Sequence, residues 1–365
     1  MKKLIYIWAP SFSSFGGGIG RFSNLLLTSL SKNYRLKLFG KHDLSGVFKG
    51  KKLIGCKNSP NLFKTIHFSI LLIASVFFKK PDLIIVSHLN FAPVAYLINI
   101  FFKVPYFICA YGIDVNKQLP ILTIHSIKKA SQVLTISKWT RDRLLLLGID
   151  EQKIINVGLT ASNKLFCIKE KKQKLIDKYN LHHKKIILSV TRLDSKEQYK
   201  GYDKVIKSLP AILEKIPNVH YLIVGSGDDI HRTKSIALKN NVLKYITFCG
   251  FVSENDLCDY YNISDLFVLP SKGEGFGIVF LEAMLCGTPV IAGNMDGSVD
   301  ALADGDLGIL IDPDNINEIA STIISVLNKA PKSNEHAKQI REKCIKQFNE
   351  SKFSRKIKNI LRHHI

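Results

Sequence analysis

The feature that most limits what this chain can fold into is an alternation repeated along most of its length. A short apolar run of about five residues is followed by a stretch with helical spacing, and then by another apolar run. Runs of that length bounded by polar turns read as strands buried on both faces. Strands joined through helices form parallel sheets. In the first half the runs fall at residues 4–9, 35–39, 83–87, 106–110 and 133–137, and Ile19, Phe22, Leu25, Leu26 and Leu30 keep helical spacing between the first two. The second half restarts at 185–191, 220–225, 245–249, 266–270 and 289–292, with helices predicted over 201–216 and 277–286. A further strand at 307–311 precedes an all-helical end from Asn315, closing in a basic helix around 351–364. A chain of 365 residues has room for two such α/β domains.

Composition adds three limits. The chain is 46% apolar and 22% charged, which suits a buried core and argues against disorder. Its richest apolar runs, 68–78 and 91–102, stop at Lys79-Lys80 and Lys103, short of a membrane span, and read as buried helices. The opening Met1-Lys2-Lys3 precedes an apolar run too short for a signal peptide, so a first strand is expected there. Seven cysteines, Cys56, Cys109, Cys167, Cys249, Cys258, Cys286 and Cys344, form no CxxC pair and fit the reducing cytoplasm. His182-His183 and His363-His364 are expected in exposed segments.

Charge is divided unevenly. Residues 1–180 hold 28 Lys and Arg against 8 Asp and Glu, a net of +20, while residues 181–365 hold 24 against 22. Such a field favours an anionic partner of the first half; a merely solubilising lysine content does not explain the asymmetry.

The segment 269–292, LPSKGEGFGIVFLEAMLCGTPVIA, concentrates the chemistry. A strand ends at Pro270, a loop carries Gly273, Gly275 and Gly277, and a helix opens near Gly277 and stops at Gly287. The N–H groups of Phe276, Gly277 and Ile278 would then face a ligand at the positive end of the helix dipole, suiting phosphate or sugar oxygens. Glu274 precedes that point, and Glu282 follows eight residues later. Carboxylates repel phosphate but accept hydrogen bonds from neutral hydroxyls, so a sugar nucleotide accounts for both. Glu274 would hold the transferred sugar and Glu282 the ribose. Alone, each would read as a loop charge and an exposed helix residue; the strand–glycine loop–helix setting favours the functional reading.

This segment resembles the Glu-x7-Glu motif of retaining glycosyltransferases of family 4, and the pattern fits essentially the whole chain. The resemblance implies the GT-B fold, two tandem Rossmann-like α/β domains with parallel sheets facing across a cleft. It implies an acceptor-side domain over 1–165, a linker over the Lys-rich 166–184, a nucleotide-sugar-binding domain over 185–345, and a helix over 346–365 packing back toward the first domain. By resemblance the run from Gly16 through Gly17, Gly18 and Gly20 to Arg21 closes over the donor diphosphate, glycine letting the backbone approach a bulky anion. Gly17 and Gly18 would bind donor and Arg21 would lie on the acceptor side.

Arg192 and Lys200 are similar to the family's diphosphate clamp, where fixed cations stabilise charge on the leaving group. In a Lys-rich chain the plain alternative is a surface Arg and Lys. Gly225 and Val252 would line the nucleotide, with Gly275, Phe276, Gly277, Ile278 and Glu282. The chain departs from the family after the strand 106–110: where His-Gly is usual it has Tyr111-Gly112-Ile113-Asp114. Tyr111 donates a hydrogen bond but does not take up a proton near neutral pH as imidazole does. It is carried over as a catalytic group beside Glu274, Arg192 and Lys200, with Asp114 on the acceptor side.

The resemblance therefore implies transfer of a sugar, with retention, from a GDP- or UDP-linked donor to a lipid-linked or polysaccharide acceptor, as in lipopolysaccharide synthesis. No cofactor and no metal are expected, because Asp304-Gly305-Asp306 and Asp312-Pro313-Asp314 spell Asp-x-Asp in turns far from the glycine loops. Expected partners are the nucleotide sugar, the acceptor and an anionic membrane reached through Lys49, Lys51, Lys52, Lys57, Lys79 and Lys80, at about 1 kcal/mol each. The expected place is the cytoplasm, peripheral on the inner face of the plasma membrane. Rival readings are a sugar-nucleotide epimerase, a phosphorylase, which would need a pyridoxal phosphate site not evident here, and a nucleic-acid binder. The pI near 9.6 suggests the last, but no RRM, KH or zinc-finger signature accompanies it, so no nucleic acid is expected.

Overall fold

The computed structural model describes residues 2–12, 17–60, 63–116, 118–329 and 333–364. The chain divides into two compact units, Met1–Leu159 with Ser351–Ile365, and Thr160–Glu350.

The first unit runs β1 (Leu4–Ala9), α1 (Gly17–Leu30), β2 (Arg35–Gly40), β3 (Gly46–Phe48), β4 (Lys51–Gly55), α2 (Lys64–Phe78), β5 (Leu83–Val86), α3 (Ala92–Phe102), β6 (Tyr106–Ala110), α4 (Ile121–Lys128), β7 (Gln132–Thr135), α5 (Lys138–Leu146) and β8 (Ile154–Asn156). The strands lie in the order β3-β4-β2-β1-β5-β6-β7-β8, parallel except for β3 against β4. All five predicted strands are present. The hairpin β3–β4 and the edge strand β8 were not predicted, because strands of three to five residues at a sheet edge carry no sustained apolar run. The hairpin's turn is made by Lys49 and Gly50, both with positive φ, which suits the strand twist of a tight hairpin.

Phe68, Leu72 and Val76 of α2, Ala95 and Ile98 of α3, Ile127 of α4 and Leu144 of α5 pack with Trp8, Ile84 and Ile108 in one core. The runs 68–78 and 91–102 therefore do form helices, but they are not buried as expected: each covers the sheet with one face and leaves the other, equally apolar, exposed. Among the described residues no helix is long and apolar enough to cross a membrane.

The second unit runs α6 (Gln173–Lys178), β9 (Lys185–Val190), α7 (Tyr202–Lys215), β10 (Val219–Val224), α8 (Ile230–Lys239), β11 (Ile246–Gly250), α9 (Glu254–Ile263), β12 (Leu266–Leu269), α10 (Ile278–Leu285), β13 (Val290–Gly293), α11 (Ser298–Ala301), β14 (Ile309–Ile311), α12 (Ile316–Asn328) and α13 (Asn334–Gln347). Its sheet is parallel throughout, in the order β11-β10-β9-β12-β13-β14. The stretch 166–184 is built into this unit rather than free as a linker. Lys171 pairs with Asp265 at 3.2 Å, Lys172 with Asp259 at 2.6 Å, and the Lys169 N–H donates to Asn262 Oδ1 at 2.7 Å. Its lysines mark an ion-paired surface strap, a pattern that composition alone does not separate from a linker.

A last helix, α14 (Glu350–Arg362), buries Phe353, Ile357, Ile360 and Leu361. Phe353 meets Phe22 of α1 edge-on, with ring centroids 5.7 Å apart, within the first unit. Chain order reverses between β1 and β5 in one sheet and between β9 and β12 in the other. The loops leaving such neighbouring strands diverge, and the crevice beyond their carboxyl ends is where open α/β sheets bind ligands.

Candidate active site

In the second unit the crevice lies beyond β9 and β12. After β9 the chain passes Arg192 and a loop into the short turn Gln198–Lys200, then through Gly201 into α7. Gly201 has φ 76°, and a Cβ there would sit 2.1 Å from the Pro270 carbonyl oxygen at the end of β12. Only glycine lets these loops touch, and the contact delivers Lys200 beside the glycine loop. The buried Lys200 ammonium contacts Glu274 Oε1 and lies 3.7 Å from Glu197 Oε2; Glu197 Oε1 takes the Arg192 guanidinium. Arg192, Glu197, Lys200 and Glu274 thus form a row of alternating charge, of which only the Arg192 side chain is well exposed, at 66%.

Two further groups complete the row. Tyr199 lies against Gly273, and its carbonyl accepts the Lys272 N–H at 2.9 Å. Burial, with Glu274 and Glu197 nearby, holds its phenol well above the usual range, so it remains a neutral hydroxyl. Its Oη, like Glu197 Oε2, is buried without a hydrogen-bond partner. Asp296, beyond β13, organises the glycine loop from behind. Its Oδ2 accepts the Glu274 N–H at 2.6 Å and the Ser271 hydroxyl at 2.8 Å, and its Oδ1 accepts the Ser298 N–H at 2.8 Å. Burial nevertheless outweighs these bonds and pushes its carboxyl up to about 6.

The glycine loop ends at Gly277, φ 83°, which caps α10. The N–H groups of Phe276, Gly277 and Ile278 donate to no partner among the described residues. Gly275 lies in the same buried loop. Glu282 is different. It is fully buried, and its Oε2 accepts the Tyr261 hydroxyl at 2.8 Å. Phe280 to Leu285 of α10 are all buried, so the eight-residue spacing carries Glu282 into the unit and not onto an exposed helix face. Gly225 (φ 137°) donates its N–H to the Gly250 carbonyl at 2.8 Å, tying β10 to β11 on the rim where the partly buried Val252 follows.

The remaining predicted residues lie in the first unit. Tyr111 is buried beyond β6, its hydroxyl bonded to Ser87, whose Oγ is 2.7 Å from Ser23 Oγ. Its ring meets Phe22 edge-on, with centroids 5.4 Å apart. Burial pushes its phenol well up. The expected catalytic hydroxyl is thus engaged within its own core, because tyrosine is long enough to reach Ser87. Asp114 also turns inward: its Oδ1 accepts the Tyr111 N–H at 2.8 Å, and burial raises it to about 6. It closes the 111–114 turn. Gly17 and Gly18 form the first turn of α1, with Arg21 one turn on; Gly16 lies outside the described residues. A Cβ on Gly18 would meet nothing within 4 Å, so its own unit does not require glycine there.

The two Asp-x-Asp pairs serve local structure. Asp312 accepts the Asp314 N–H at 2.9 Å, Asp314 pairs with Lys272 at 2.9 Å, and Asp304 adopts φ 58° in a short turn. Glu197, Tyr199 and Asp296 escaped sequence reasoning. Their only signal was position, each standing in a loop that follows the carboxyl end of a parallel strand.

The family profile described as "Glycosyl transferases group 1" matches residues 171–347. A GDP-mannose-dependent alpha-(1-6)-phosphatidylinositol monomannoside mannosyltransferase of Mycobacterium tuberculosis is 29% identical over 157 residues, 41% of this chain and 40% of that protein. An uncharacterized glycosyltransferase of Methanocaldococcus jannaschii is 36% identical over 144 residues, 40% of this chain and 36% of that one. The chain thus matches only about two fifths of the length of these curated relatives. Among solved structures, Anabaena HepE in complex with UDP and glucose superposes with a TM-score of 0.82 at 19% identity, covering 99% of this chain and all of that one. Sucrose-phosphate synthase from Thermosynechococcus elongatus gives 0.83 at 20% identity, covering 99% of both chains. Residues 171–347, which hold the Arg192–Glu274 row, match the profile of group 1 glycosyl transferases, in a chain whose two Rossmann-like units have the GT-B fold.

Proposed function

We propose that this protein transfers a sugar from a nucleoside diphosphate sugar to a hydroxyl of a lipid-linked or glycan acceptor, with retention of anomeric configuration and without a metal. The observation that carries this is the row Arg192, Glu197, Lys200 and Glu274 beside the unpartnered N–H groups of Phe276, Gly277 and Ile278. Without ligand, the two cations are held by carboxylates. A donor diphosphate would replace those carboxylates as partner of Arg192 and Lys200, freeing Glu274 to accept hydrogen bonds from sugar hydroxyls. As the sugar–phosphate bond breaks, charge grows on the leaving diphosphate, and prepositioned cations and amides stabilise it. Retention follows if a leaving phosphate oxygen takes the proton of the hydroxyl attacking on the same face.

UDP or GDP as the donor nucleotide is supported by the UDP of the HepE complex and the GDP-mannose dependence in the mycobacterial relative's name. That relative's phosphatidylinositol acceptor, and the +20 of residues 1–180, support work at an anionic membrane surface. The test is thermal-shift titration with UDP, GDP, ADP and their sugars, followed by acceptor-dependent release of the matching diphosphate. Stabilisation by one nucleotide family and a rate insensitive to EDTA are expected. No shift with any of them, or full loss of rate in EDTA, overturns the proposal or its metal-free form respectively.

A further inference from the structure

α2 is rich in apolar residues on more than one face, yet only one face is covered. Phe68, Leu72 and Val76 are buried, whereas Phe63 at the N-cap, Ile66, Ile70 and Phe77 are 58%, 59%, 60% and 76% exposed. With the half-buried Ile73, these positions recur every three or four residues and form one stripe. At 1.5 Å per residue the stripe is about 21 Å long. α3 packs beside α2, and α4 beside α3. Leu97, Ile100 and Phe101 of α3 and Ile121 and Leu122 of α4 are exposed as well. So large an apolar surface marks a binding face.

Charge decides what covers it. Lys41 donates to Thr65 Oγ1 at 2.7 Å and stands with Lys64 at the start of the stripe. Lys37, Lys52 and Lys79 crowd its end: burial and then Lys52 and Lys79 hold Lys37 below its usual range, as burial and Lys64 do Lys41. Lys80 and Lys103 follow α2 and α3. A second copy of the chain would bring the same cations together across a two-fold axis, which like-charge repulsion opposes. An anionic bilayer offers acyl chains to the stripe and phosphates to its rim. With 15 residues α2 is too short to span, so it would lie in the membrane plane.

We infer that the outer face of α2 and α3 is a monotopic docking surface, with Ile66, Ile70, Phe77 and Phe101 entering the headgroup–acyl boundary of an anionic bilayer. This rests on the membrane part of the proposed function and deepens it: the apolar stripe, and not lysines alone, retains the protein. The test sediments the full chain with vesicles of phosphatidylcholine, with and without phosphatidylglycerol, at about 0.05 M and about 0.5 M salt. Anionic vesicles should bind, and the binding that survives high salt should fall at least about tenfold in Ile70→Asp/Phe77→Asp. Leu238→Asp, exposed on α8 of the second unit, should bind as the wild type does. Emission of Phe77→Trp should shift to the blue on vesicles and be quenched by lipids brominated in the acyl chain.

Binding that vanishes at high salt and ignores Ile70→Asp/Phe77→Asp overturns insertion. A wild type that is dimeric by light scattering, made monomeric by the double substitution, assigns the face to a second copy and overturns it too. Donor hydrolysis is measured without vesicles on the same proteins. Its absence in the wild type fells the proposed activity but not the docking surface, so the two failures are separable.

Discussion

At the scale of single residues, the site is a set of charges that neutralise one another, and burial separates their roles. Lys200 is buried between two carboxylates, so Lys200→Met leaves uncompensated charge and should destabilise the fold by about 3–5 kcal/mol. Arg192 is exposed, and Arg192→Ala should change stability by less than about 1 kcal/mol while lowering diphosphate release about 100-fold. Calorimetry paired with turnover separates the two. A large loss of stability in Arg192→Ala would refute its assignment as a ligand-facing cation. Asp296 adds a pH signature. Its folded pKa, about 6, lies above the ordinary 3.8, so its contribution to stability is full below about pH 4 and lost as pH rises through 6. Asp296→Asn should therefore gain a few degrees in melting temperature relative to wild type between about pH 4.5 and 7.5. Its turnover should lose the acid-side inflection near pH 6, because the carboxylate that holds the Glu274 N–H is gone.

At the scale of elements, close approach of loops at strand ends places the charges. Gly201→Ala combines a left-handed φ with a clash against the Pro270 carbonyl, and should cost at least about 1–3 kcal/mol while displacing Lys200. A lowered melting temperature together with lowered turnover would check this; an unchanged melt would show that the loops separate freely. The inner strands of both sheets and the glycine loop before α10 were legible in sequence, because a buried parallel strand is a continuous apolar run and a tight helix entry needs glycine; the edge strand β8, only three residues long, was not. The hairpin β3–β4 was not legible, since an edge hairpin needs no apolar run. Nor was the exposure of α2 and α3, because an apolar helix reads the same whether or not something lies on its outer face.

At the scale of the whole molecule, the first unit is discontinuous: it takes Ser351–Ile365 from the far end of the chain. Residues 1–159 expressed alone should aggregate, because Phe22 and its neighbours lose Phe353, Ile357 and Leu361. Joining 351–365 through a short flexible linker should restore a soluble, cooperatively melting unit. Solubility and circular dichroism of the two proteins would decide, and a stable, soluble 1–159 would show that α14 is dispensable.

What the sequence determined by itself is local or periodic: two α/β sheets built on parallel strands, the glycine loop with Glu274 within it, and the basic excess of the first half. These follow from apolar spacing, backbone freedom and formal charge, all of which are written along the chain. Only the tertiary structure decided that Glu197 completes the charge row, that Glu282 is enclosed by α9 and α10, and that Tyr111 is bonded to Ser87. The reason is that burial and hydrogen-bond partnership depend on which residues, tens of positions apart, meet when strands pair and helices cover them, and no local pattern encodes that meeting.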